Sequence, residues 1–532
     1  MKNCYLQSLS VALGVAILAT ANMAAAAPSD FSWDVVVNNS FMIPGHDGTD
    51  GGAIRYYNSY NPPSVNDAAL VVFRARSTGR EQGPVSGIYT RDMSTLLPIT
   101  INKIADRDTV VPPPNNTEYP VPGVDGEWML STYNEFPSFP RIAISADMVA
   151  SRGNHKPVWS YEETPIQLAA HHDEAGEDET RAGTTGVYAN LQARYPLGHP
   201  LGRGALITGA SLLGVTPEFN RIFRVPGANG WTRFDVFPGA PAITDDGIVT
   251  FKGNYTDSGS GKTGVFYRQL SEVYAVGDDP IRLIASSDTP VPNQGNCETG
   301  TTFGSTAPPS AAGDQVVFVG FDNERDPTCG GIYRAKLDLD KPSDEQATLT
   351  TLVGLEQRVP GQGRTTFSEL GEGLSYDGRF ISFWGAWGDE HKDVRLYCPH
   401  EGNKNRRNYC NHQGEFDPVN GKYDGDRNSI WDPRSGRRYQ EKEVPVNQGI
   451  FVYDSVTGKL RLLARTGKGG EFDDFLYWNY SGAPPGAGES EGHAKPPRFR
   501  SAAFLAVSQM AGGTSRTVFL ARIGELDDDN VY

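Results

Sequence analysis

Histidine, tyrosine and arginine are concentrated in two stretches of the chain, residues 152–181 and residues 248–268. A neutral imidazole or a phenolate accepts a proton, and a guanidinium neutralises a carboxylate through charge-assisted hydrogen bonds. Together these residue types can transfer protons at a carbon next to a carboxylate. The candidates in the two stretches are His155, His171, His172, Tyr255 and Arg268. For each of them a structural role remains the alternative, such as the capping of a turn by His155.

Two cysteine–histidine pairs on one polar loop predict a metal site. The candidate ligands are Cys398, His400, Cys410 and His412. Two thiolates and two imidazoles form the tetrahedral set that zinc prefers, although the spacing differs from that of a zinc finger. Four protein ligands leave no open position, so this zinc is expected to be structural. The alternative is a Cys398–Cys410 disulfide. If zinc is bound, Cys297 and Cys329 are left to form the one disulfide.

Residues 424–428 resemble the start of a calcium loop, with Asp424, Asp426 and Asn428 at alternate positions. The usual glycine at the sixth place and glutamate at the twelfth are missing, so a solvated acidic turn is the alternative to Ca²⁺ binding. No Gly-x-Ser-x-Gly elbow, Walker loop or dinucleotide fingerprint is present. A glycosidase would need two opposed carboxylates, and the sequence offers too many candidates to choose a pair.

The catalytic candidates lie within a repeat that predicts an all-β fold. Val249 and Phe251 alternate with polar residues, a Gly/Ser/Asp-rich turn follows, and Val265 and Tyr267 alternate again. This pattern is typical of a β-hairpin. Similar units occur at residues 71–90, 316–334 and 381–452, with a weaker copy near the end of the chain. A Val-Pro-Gly-like turn and a Leu-rich strand complete a unit of four strands, the pattern of a propeller blade.

The number of units and the ends of the chain predict a closed β-propeller. A Gly-Ile-Tyr-like element begins at five glycines, Gly87, Gly186, Gly264, Gly331 and Gly449, and a degenerate form begins at Thr517. Six units are counted directly, and a seventh could occupy either long gap, so we expect seven blades. The isolated strand at Phe31–Val37 would complete the last blade and remove a sheet edge. A β-sandwich or a β-helix is the alternative. The single propeller domain would span residues 28–532, with insertions near 152–181 and 389–447.

The N-terminus predicts export. Residues 1–27 contain Lys2, an apolar run and small residues before a cleavage point near Ala26 or Ala27, which is typical of a secretory signal peptide. We expect a secreted or periplasmic protein, with no membrane insertion, that is a monomer. The net charge of −16 argues against a general affinity for nucleic acid, but it does not exclude an anionic ligand at a local basic cluster.

Four short motifs carry a resemblance to a known family. Gly153–Pro157, His171/His172, Gly253–Tyr255 and Tyr267–Arg268 resemble motifs of the seven-bladed ulvan lyases of polysaccharide lyase families 24 and 25. The resemblance implies β-elimination at a uronic acid of ulvan, a sulfated rhamnose–uronate polymer, giving unsaturated oligosaccharides without an organic cofactor.

The resemblance also implies a role for each matching residue. His155 and Tyr255 would form the acid/base pair, with His171 or His172 assisting. Arg268 would neutralise the uronate, helped by Asn154, with Arg282 or Arg325 as substitutes. The residues expected to bind substrate are Asn154, Tyr267, Arg282 and Arg325. Two other functions remain open: a non-catalytic propeller that binds glycan or protein, and a glycoside hydrolase on the same fold.

Overall fold

The computed structural model describes residues 32–37, most of residues 40–465, and residues 502–510 and 513–522. The larger stretches outside this description are 1–31, 156–184, 211–222, 271–278, 398–412, 466–501 and 523–532. The described residues form an all-β protein with a β-propeller architecture. None of them belongs to a helix that is long and apolar enough to cross a bilayer.

Five sheets share one topology, a meander of four antiparallel strands that we call a blade. In blades 1–4 the first strand is interrupted and consists of two short strands that pair with the same neighbour. The chain enters through β1 (Ser32–Val37). Blade 1 contains β2 (Tyr57–Tyr60), β3 (Ser64–Val65), β4 (Leu70–Ser77), β5 (Ser86–Asp92) and β6 (Ile101–Asp106). A hairpin of β7 (Glu118–Pro120) and β8 (Trp128–Leu130) follows.

Blades 2–5 repeat this order. Blade 2 contains β9 (Tyr133–Glu135), β10 (Arg141–Ile142), β11 (Val149–His155), β12 (Thr185–Asn190) and β13 (Gly204–Gly209). Blade 3 contains β14 (Phe234–Val236), β15 (Ala242–Ile243), β16 (Ile248–Asp257), β17 (Ser260–Gln269) and β18 (Arg282–Ser286). Blade 4 contains β19 (Ser305–Thr306), β20 (Ser310–Ala312), β21 (Gln315–Phe321), β22 (Gly330–Lys336) and β23 (Thr350–Gly354). Blade 5 contains β24 (Phe367–Tyr376), β25 (Phe380–Trp387), β31 (Gln448–Asp454) and β32 (Lys459–Arg465).

The second long insertion lies between the second and third strands of blade 5. Its strands are β26 (His391–Tyr397), β27 (Gln413–Asp417), β28 (Lys422–Arg427), β29 (Ile430–Asp432) and β30 (Arg437–Pro445). They form one three-stranded sheet and one hairpin. Near the end of the chain, β33 (Ala502–Met510) and β34 (Gly513–Arg522) form a three-stranded sheet with β1, in which Trp33 pairs with Ala521 and Asp34 with Leu520.

The first strands of the blades converge at the centre of the propeller. The backbone N–H of Ile142 in blade 2 donates to the hydroxyl of Ser64 in blade 1 at 3.2 Å. The guanidinium of Arg141 donates to the carbonyl of Leu374 in blade 5 at 3.1 Å. These bonds join blade 2 to its neighbour and to a blade three places further on, so the inner strands line a common axis.

Glycine and aromatic residues explain why the same strand sequence forms each blade. An aromatic ring at the first strand meets one of the third strand edge to face, with centroids 4.9–5.3 Å apart in all five blades; in blade 4 this first ring is Phe303, two residues before β19. In blades 2–5 the first-strand ring lies where the Cβ of a second-strand glycine would stand; at Gly253 such a Cβ would come within 2.5 Å of Phe234. A larger residue there would displace the ring, and each such aromatic pair contributes about 0.5–1.5 kcal/mol beyond its buried area.

The number of blades differs from the expectation. The described residues contain five blades rather than seven. The two long gaps that were expected to hide a further unit contain, where they are described, the β7–β8 hairpin and the β26–β30 insertion. Short periodic strands therefore suggested a blade where the chain instead forms local hairpins. The predicted four-strand order is confirmed, and all five Gly-Ile-Tyr-like elements lie in third strands.

Because the blades share one strand order, the connections from second to third strands all lie on one face of the propeller. We call this the insertion face. It carries the connections at residues 78–85, 156–184, 258–259, 322–329 and 388–447, and the connections from each blade to the next. The long excursions of the chain therefore emerge on the same side, where binding and catalytic residues of a rigid β scaffold are usually placed.

Candidate active site

The second strands of the five blades can be aligned residue by residue. In each of them the same position pairs with the glycine that opens the Gly-Ile-Tyr-like element of the third strand. The aligned segments are VVFRARS (71–77), VASRGNH (149–155), VTFKGNY (249–255), VVFVGFD (316–322) and ISFWGAW (381–387). Their fourth and sixth positions hold basic or amide side chains in blades 1–3 and apolar side chains in blades 4 and 5. At these two positions polar side chains are therefore confined to blades 1–3.

Successive residues of these strands face opposite neighbouring blades. The fourth and sixth positions face the following blade, as shown by Arg74 of blade 1, which lies against Glu135 of blade 2. The seventh position faces the preceding blade, as shown by Tyr255 of blade 3, which belongs to a core cluster shared with blade 2. Each interblade cleft thus combines the fourth and sixth positions of one blade with the seventh position of the next.

The cleft between blades 1 and 2 contains two buried arginines. Nη2 of Arg74 and Nη1 of Arg76 lie 3.5 Å and 3.8 Å from the same carboxylate oxygen of Glu135. Both arginine side chains are 5% exposed, and Glu135 is 30% exposed. Nε of Arg76 is buried and has no hydrogen-bond partner among the described residues. The cleft therefore holds two buried guanidinium groups beside Glu135, and Nε of Arg76 is a donor that an anion can use.

His155 lies in the same cleft, fully buried at the end of β11. It pairs with Tyr133 of β9, and Glu135 follows two residues later on the same side of that strand, about 7 Å further on. The side-chain amide of Asn115 donates to the hydroxyl of Tyr188 at 3.0 Å and lies 3.4 Å from Nε2 of His155. An amide N–H directed at Nε2 fits the neutral imidazole, whose lone pair accepts it.

Tyr255 lies in the neighbouring cleft, between blades 2 and 3. Burial raises the pKa of its hydroxyl, which is hydrogen-bonded with Ser286, so the phenol is protonated at neutral pH. Asn154 of blade 2 faces this cleft with a buried Oδ1 that has no hydrogen-bond partner. The predicted pair His155 and Tyr255 thus shares one face of the propeller, but the two residues occupy adjacent clefts on opposite sides of the end of β11.

Arg268 lies at the other end of the β16–β17 hairpin from Tyr255. Tyr255 pairs with Lys262 and Arg268 with Val249, so six residues of β17, about 20 Å, separate them. The guanidinium of Arg268 donates to two backbone carbonyls of β13 at 3.2 Å and 2.9 Å, and burial lowers its pKa to about 10. The structure therefore separates Arg268 from Tyr255, and the arginine ties blade 3 to blade 2.

Two other residues predicted to bind substrate lie at that same end. The hydroxyl of Tyr267 donates to the carbonyl of Asp338 at 2.6 Å. The guanidinium of Arg282 donates to the carbonyl of Leu339 at 2.5 Å. Both side chains are buried and hold the connection between β22 and β23. Of the predicted substrate-binding residues within the described part of the chain, Asn154 is the one on the insertion face.

Seven predicted site residues lie outside the described residues. They are His171, His172, Arg325, Cys398, His400, Cys410 and His412. In the described part of the chain no three histidine, cysteine or acidic side chains are grouped so that they could hold a metal ion. The prediction that Cys297 and Cys329 form a disulfide is confirmed, with their Cα atoms 5.4 Å apart.

Several residues of the cleft between blades 1 and 2 were missed by sequence reasoning. Arg74, Arg76 and Glu135 belong to ordinary-looking strand segments, and Asn115 lies in a connection. The signal that would have found the arginines is the alignment of the second strands by the glycine that pairs with the third strand. Only this alignment shows that blades 1–3 carry basic side chains where blades 4 and 5 carry Val319 and Trp384.

No family model and no curated protein matches the chain. Similar solved structures include one from the GH130 family of mannoside phosphorylases and glycoside hydrolases, at 12% identity over 68% of this chain and 92% of that one, with a TM-score of 0.27. The polysaccharide lyase Uly1 is 8% identical over 66% of this chain and 58% of its own, with a TM-score of 0.28. The β-propeller domain of the Trilobed protease from Pyrococcus furiosus is 6% identical over 89% of this chain and 98% of its own, with a TM-score of 0.29. Likenesses this distant say nothing of the activity of this chain.

Proposed function

We propose that this protein is a secreted polysaccharide lyase that cleaves a uronic-acid polymer by β-elimination in the cleft between blades 1 and 2. The observation that carries the proposal is the buried pair Arg74 and Arg76, which shares this cleft with His155 and has Glu135 as its partly exposed counter-charge. The burial of a guanidinium group is costly, and the carboxylate of a bound uronate would offset part of that cost through charge-assisted hydrogen bonds. The overall charge of −16 makes a basic cleft of this kind a local feature.

The residues of the cleft match the needs of an elimination. The C5–H bond and the C4–O bond of the uronate break, and the C–H electron pair forms the new C4=C5 double bond. The C5 proton is poorly acidic until the carboxylate charge is neutralised, which Arg74 and Arg76 would do through charge-assisted hydrogen bonds. The neutral imidazole of His155 would accept the proton at Nε2, where the substrate would replace the amide of Asn115, and, once charged, would return it to the leaving oxygen. This scheme requires no organic cofactor.

Tyr255 and Asn154 would act in the neighbouring cleft, where we place the next sugar of the bound chain. The phenol of Tyr255 is protonated, and Oδ1 of Asn154 is an acceptor with no hydrogen-bond partner among the described residues. Sugar hydroxyls can form hydrogen bonds with both. We propose ulvan as the polymer, because its uronate carboxylates and sulfate esters suit a line of basic side chains.

A glycoside hydrolase is the second candidate function. It would require two carboxylates on either side of the scissile bond. Glu135, the carboxylate that lies against the two arginines, is already paired with both of them. This arrangement favours elimination over hydrolysis.

The test is incubation of the purified protein with ulvan while ultraviolet absorbance is followed. Elimination leaves an unsaturated uronate that absorbs, whereas hydrolysis adds water and does not. New reducing ends without absorbance would support a hydrolase. If neither ulvan nor another uronate polymer yielded any product, the protein would be a non-catalytic glycan- or protein-binding propeller.

We propose in addition that the loop containing Cys398 and Cys410 binds a structural zinc ion through these cysteines together with His400 and His412. Elemental analysis of the purified protein tests this, with stoichiometric zinc as the expected result. A Cys398–Cys410 disulfide found by mass spectrometry in zinc-free protein would contradict it. We also propose that residues 1–27 are a cleaved signal peptide and that the mature protein is a monomer.

We propose further that β1 closes the propeller by completing the last blade. Its pairing with β34 supports this, as do Val36 and Val37, which are fully buried in a core cluster with blade 1. Deletion of residues 31–37 should lower the thermal midpoint strongly, because it exposes a strand edge and uncovers that cluster. An unchanged midpoint would place the closure elsewhere.

A further inference from the structure

We infer that the cleft between blades 3 and 4 holds a second anion-binding subsite, formed by Lys252 and Asn254. Its ligand would be a carboxylate or a sulfate ester farther along the polysaccharide chain that is cleaved between blades 1 and 2. The identity of that ligand rests on the proposed function, whereas the affinity of the cleft for an anion does not.

Lys252 is a buried residue whose ammonium has no partner in the described part of the chain. It is 7% exposed, and among the described residues it forms neither an ion pair nor a hydrogen bond. A buried lysine is normally paired, because an uncompensated charge in a protein interior is unfavourable. Lys262, on the neighbouring strand of the same blade, shows the usual arrangement, with Asp257 and Asp288 at 3.2 Å and 2.8 Å. Since the described residues bring no such carboxylate to Lys252, its ammonium is available to an anion from outside the protein.

Asn254 provides a second polar group on the same side of β16. Its Oδ1 is buried and has no hydrogen-bond partner among the residues that the structure describes. Asn254 pairs with Thr263 of β17, whose hydroxyl lies 2.8 Å from that of Thr306 in blade 4. The wall of the cleft therefore presents a cation, an amide oxygen and hydroxyl groups. This set suits a charged sugar, whose own hydroxyls can donate to the amide oxygen. Asp322, at the seventh position of blade 4, also faces this cleft, but its carboxylate accepts hydrogen bonds from Thr328 and from the backbone N–H of Cys329.

The position of these residues continues a series around the insertion face. The fourth and sixth positions of the aligned second strands hold Arg74 and Arg76 in blade 1, Arg152 and Asn154 in blade 2, and Lys252 and Asn254 in blade 3. Each pair faces the following blade, so the three pairs line three consecutive clefts. In blades 4 and 5 the same positions are apolar, and the polar series ends there. A polyanion lying across the three clefts would meet a cation in each.

The experiment uses the full-length protein with His155→Ala as background, so that the polymer is bound but not cleaved. Binding of ulvan and of chemically desulfated ulvan is measured by titration calorimetry at two salt concentrations. Lys252→Met should weaken the binding of ulvan about tenfold and reduce its salt dependence, because one charge contact is lost. Lys341→Met is the matched control: it removes the same charge from the β22–β23 connection on the opposite face, where Lys341 pairs with Glu345, and should leave binding unchanged.

Thermal stability distinguishes a ligand site from a structural role. Because the ammonium of Lys252 has no partner, Lys252→Met should leave the thermal midpoint unchanged or raise it. A clear fall in the midpoint would show that Lys252 stabilises the fold and would overturn the proposal. Asn254→Asp provides a second probe: it places a negative charge in the cleft and should weaken the binding of ulvan by at least as much as Lys252→Met.

The two polymers identify the bound group. If the effect of Lys252→Met persists with desulfated ulvan, the subsite holds a carboxylate, and if it disappears, the subsite holds a sulfate ester. If Lys252→Met and Asn254→Asp both bind the two polymers as the His155→Ala background does, there is no subsite. A wild-type protein that gives no unsaturated product while Lys252→Met weakens binding would refute the lyase but support the subsite. A wild-type protein that gives unsaturated product, with unaltered binding in both variants, would support the lyase but refute the subsite.

Discussion

Arg76 of blade 1 and Glu135 of blade 2 face each other across an interblade cleft, with 3.8 Å between Nη1 and the carboxylate oxygen. This distance is too long for a hydrogen bond, and Nε of Arg76 has no hydrogen-bond partner in the described part of the chain. The arginine is thus held near a carboxylate without being saturated by it. A second carboxylate, from a substrate, can bind it without breaking a tight internal ion pair.

Arg76→Gln should lower kcat/KM on a uronate polymer about 10- to 100-fold, since a hydrogen bond to a charged group contributes about 1.5–3 kcal/mol. Arg76→Lys should recover little of this, because a point charge cannot reproduce a two-pronged contact. The measurement is the initial rate of unsaturated product at several polymer concentrations. If Arg76→Gln kept the wild-type kcat/KM, Arg76 would not belong to the active site.

Glu135→Gln should have the opposite effect on substrate binding. The carboxylate competes with the substrate for Arg74 and Arg76, so its neutralisation should leave kcat nearly unchanged and lower KM or leave it as it is. Steady-state kinetics of Glu135→Gln, Arg76→Gln and the wild type measures kcat and KM for this comparison. A loss of turnover by about 10²-fold or more would instead identify Glu135 as an acid or base, and the hydrolase would become the better reading.

His155→Ala and Tyr255→Phe should differ, because the two residues occupy adjacent clefts. Loss of a proton-transfer group typically costs about 10²–10⁴-fold, and this is the expected fall in kcat for His155→Ala. Tyr255→Phe removes one hydrogen bond, about 0.5–1.5 kcal/mol, so KM should rise roughly two- to tenfold with little change in kcat. If kcat collapsed in Tyr255→Phe and survived in His155→Ala, the reaction would occur between blades 2 and 3.

Arg268→Met should destabilise the protein without removing its activity. The guanidinium donates to backbone carbonyls of β13 and to the carbonyl of Asp279, and it is 3% exposed. Its loss leaves these carbonyls buried without donors, at a cost of about 2–4 kcal/mol. Chemical unfolding and kcat, both measured well below the thermal midpoint, separate the two effects. If the Arg268→Met protein were stable but inactive, the result would support the original prediction that Arg268 binds the substrate.

Much of the blade architecture could be predicted from the sequence, because the blade is specified locally. Alternating strands, turn residues and the glycine that opens the third strand act over about 20 residues, and each copy repeats them. The count of blades could not be read in the same way. Long gaps between Gly331 and Gly449, or between Gly87 and Gly186, are compatible with either a further blade or an insertion, since both consist of short β-strands.

The candidate site was predictable only in part, because a cleft between blades depends on register. His155 and Tyr255 stand out as residue types, but whether they meet depends on which side of its strand each side chain takes. Arg268 and Tyr267 look equivalent to Tyr255 in the sequence, yet the antiparallel pairing of β16 and β17 places them about 20 Å away. Arg74 and Arg76 gain significance only when Glu135, some 60 residues later, is brought beside them.

The acid sensitivity of blade 5 should depend on Asp454. Its carboxylate accepts hydrogen bonds from Arg379 at 3.1 Å and 2.6 Å and from the backbone N–H of Val456 at 2.9 Å. These contacts hold the pKa of Asp454 well below its usual value, and the hydrogen bonds from Arg379 contribute most. A carboxyl with a depressed folded-state pKa stabilises the fold above its unfolded-state pKa of about 3.9, and that stability is lost as the pH falls toward the folded-state value.

Asp454→Asn should therefore cost about 1–2 kcal/mol at neutral pH, a modest value because Arg379 is half exposed. The difference from the wild type should be constant above about pH 5 and shrink below about pH 4, where the wild-type carboxylate becomes protonated. Urea unfolding between acidic and neutral pH measures it. Asp340→Asn, at an exposed position on the same face, should show no such pH dependence. A difference that grew on acidification would contradict the assignment, since the sign of the linkage would be reversed.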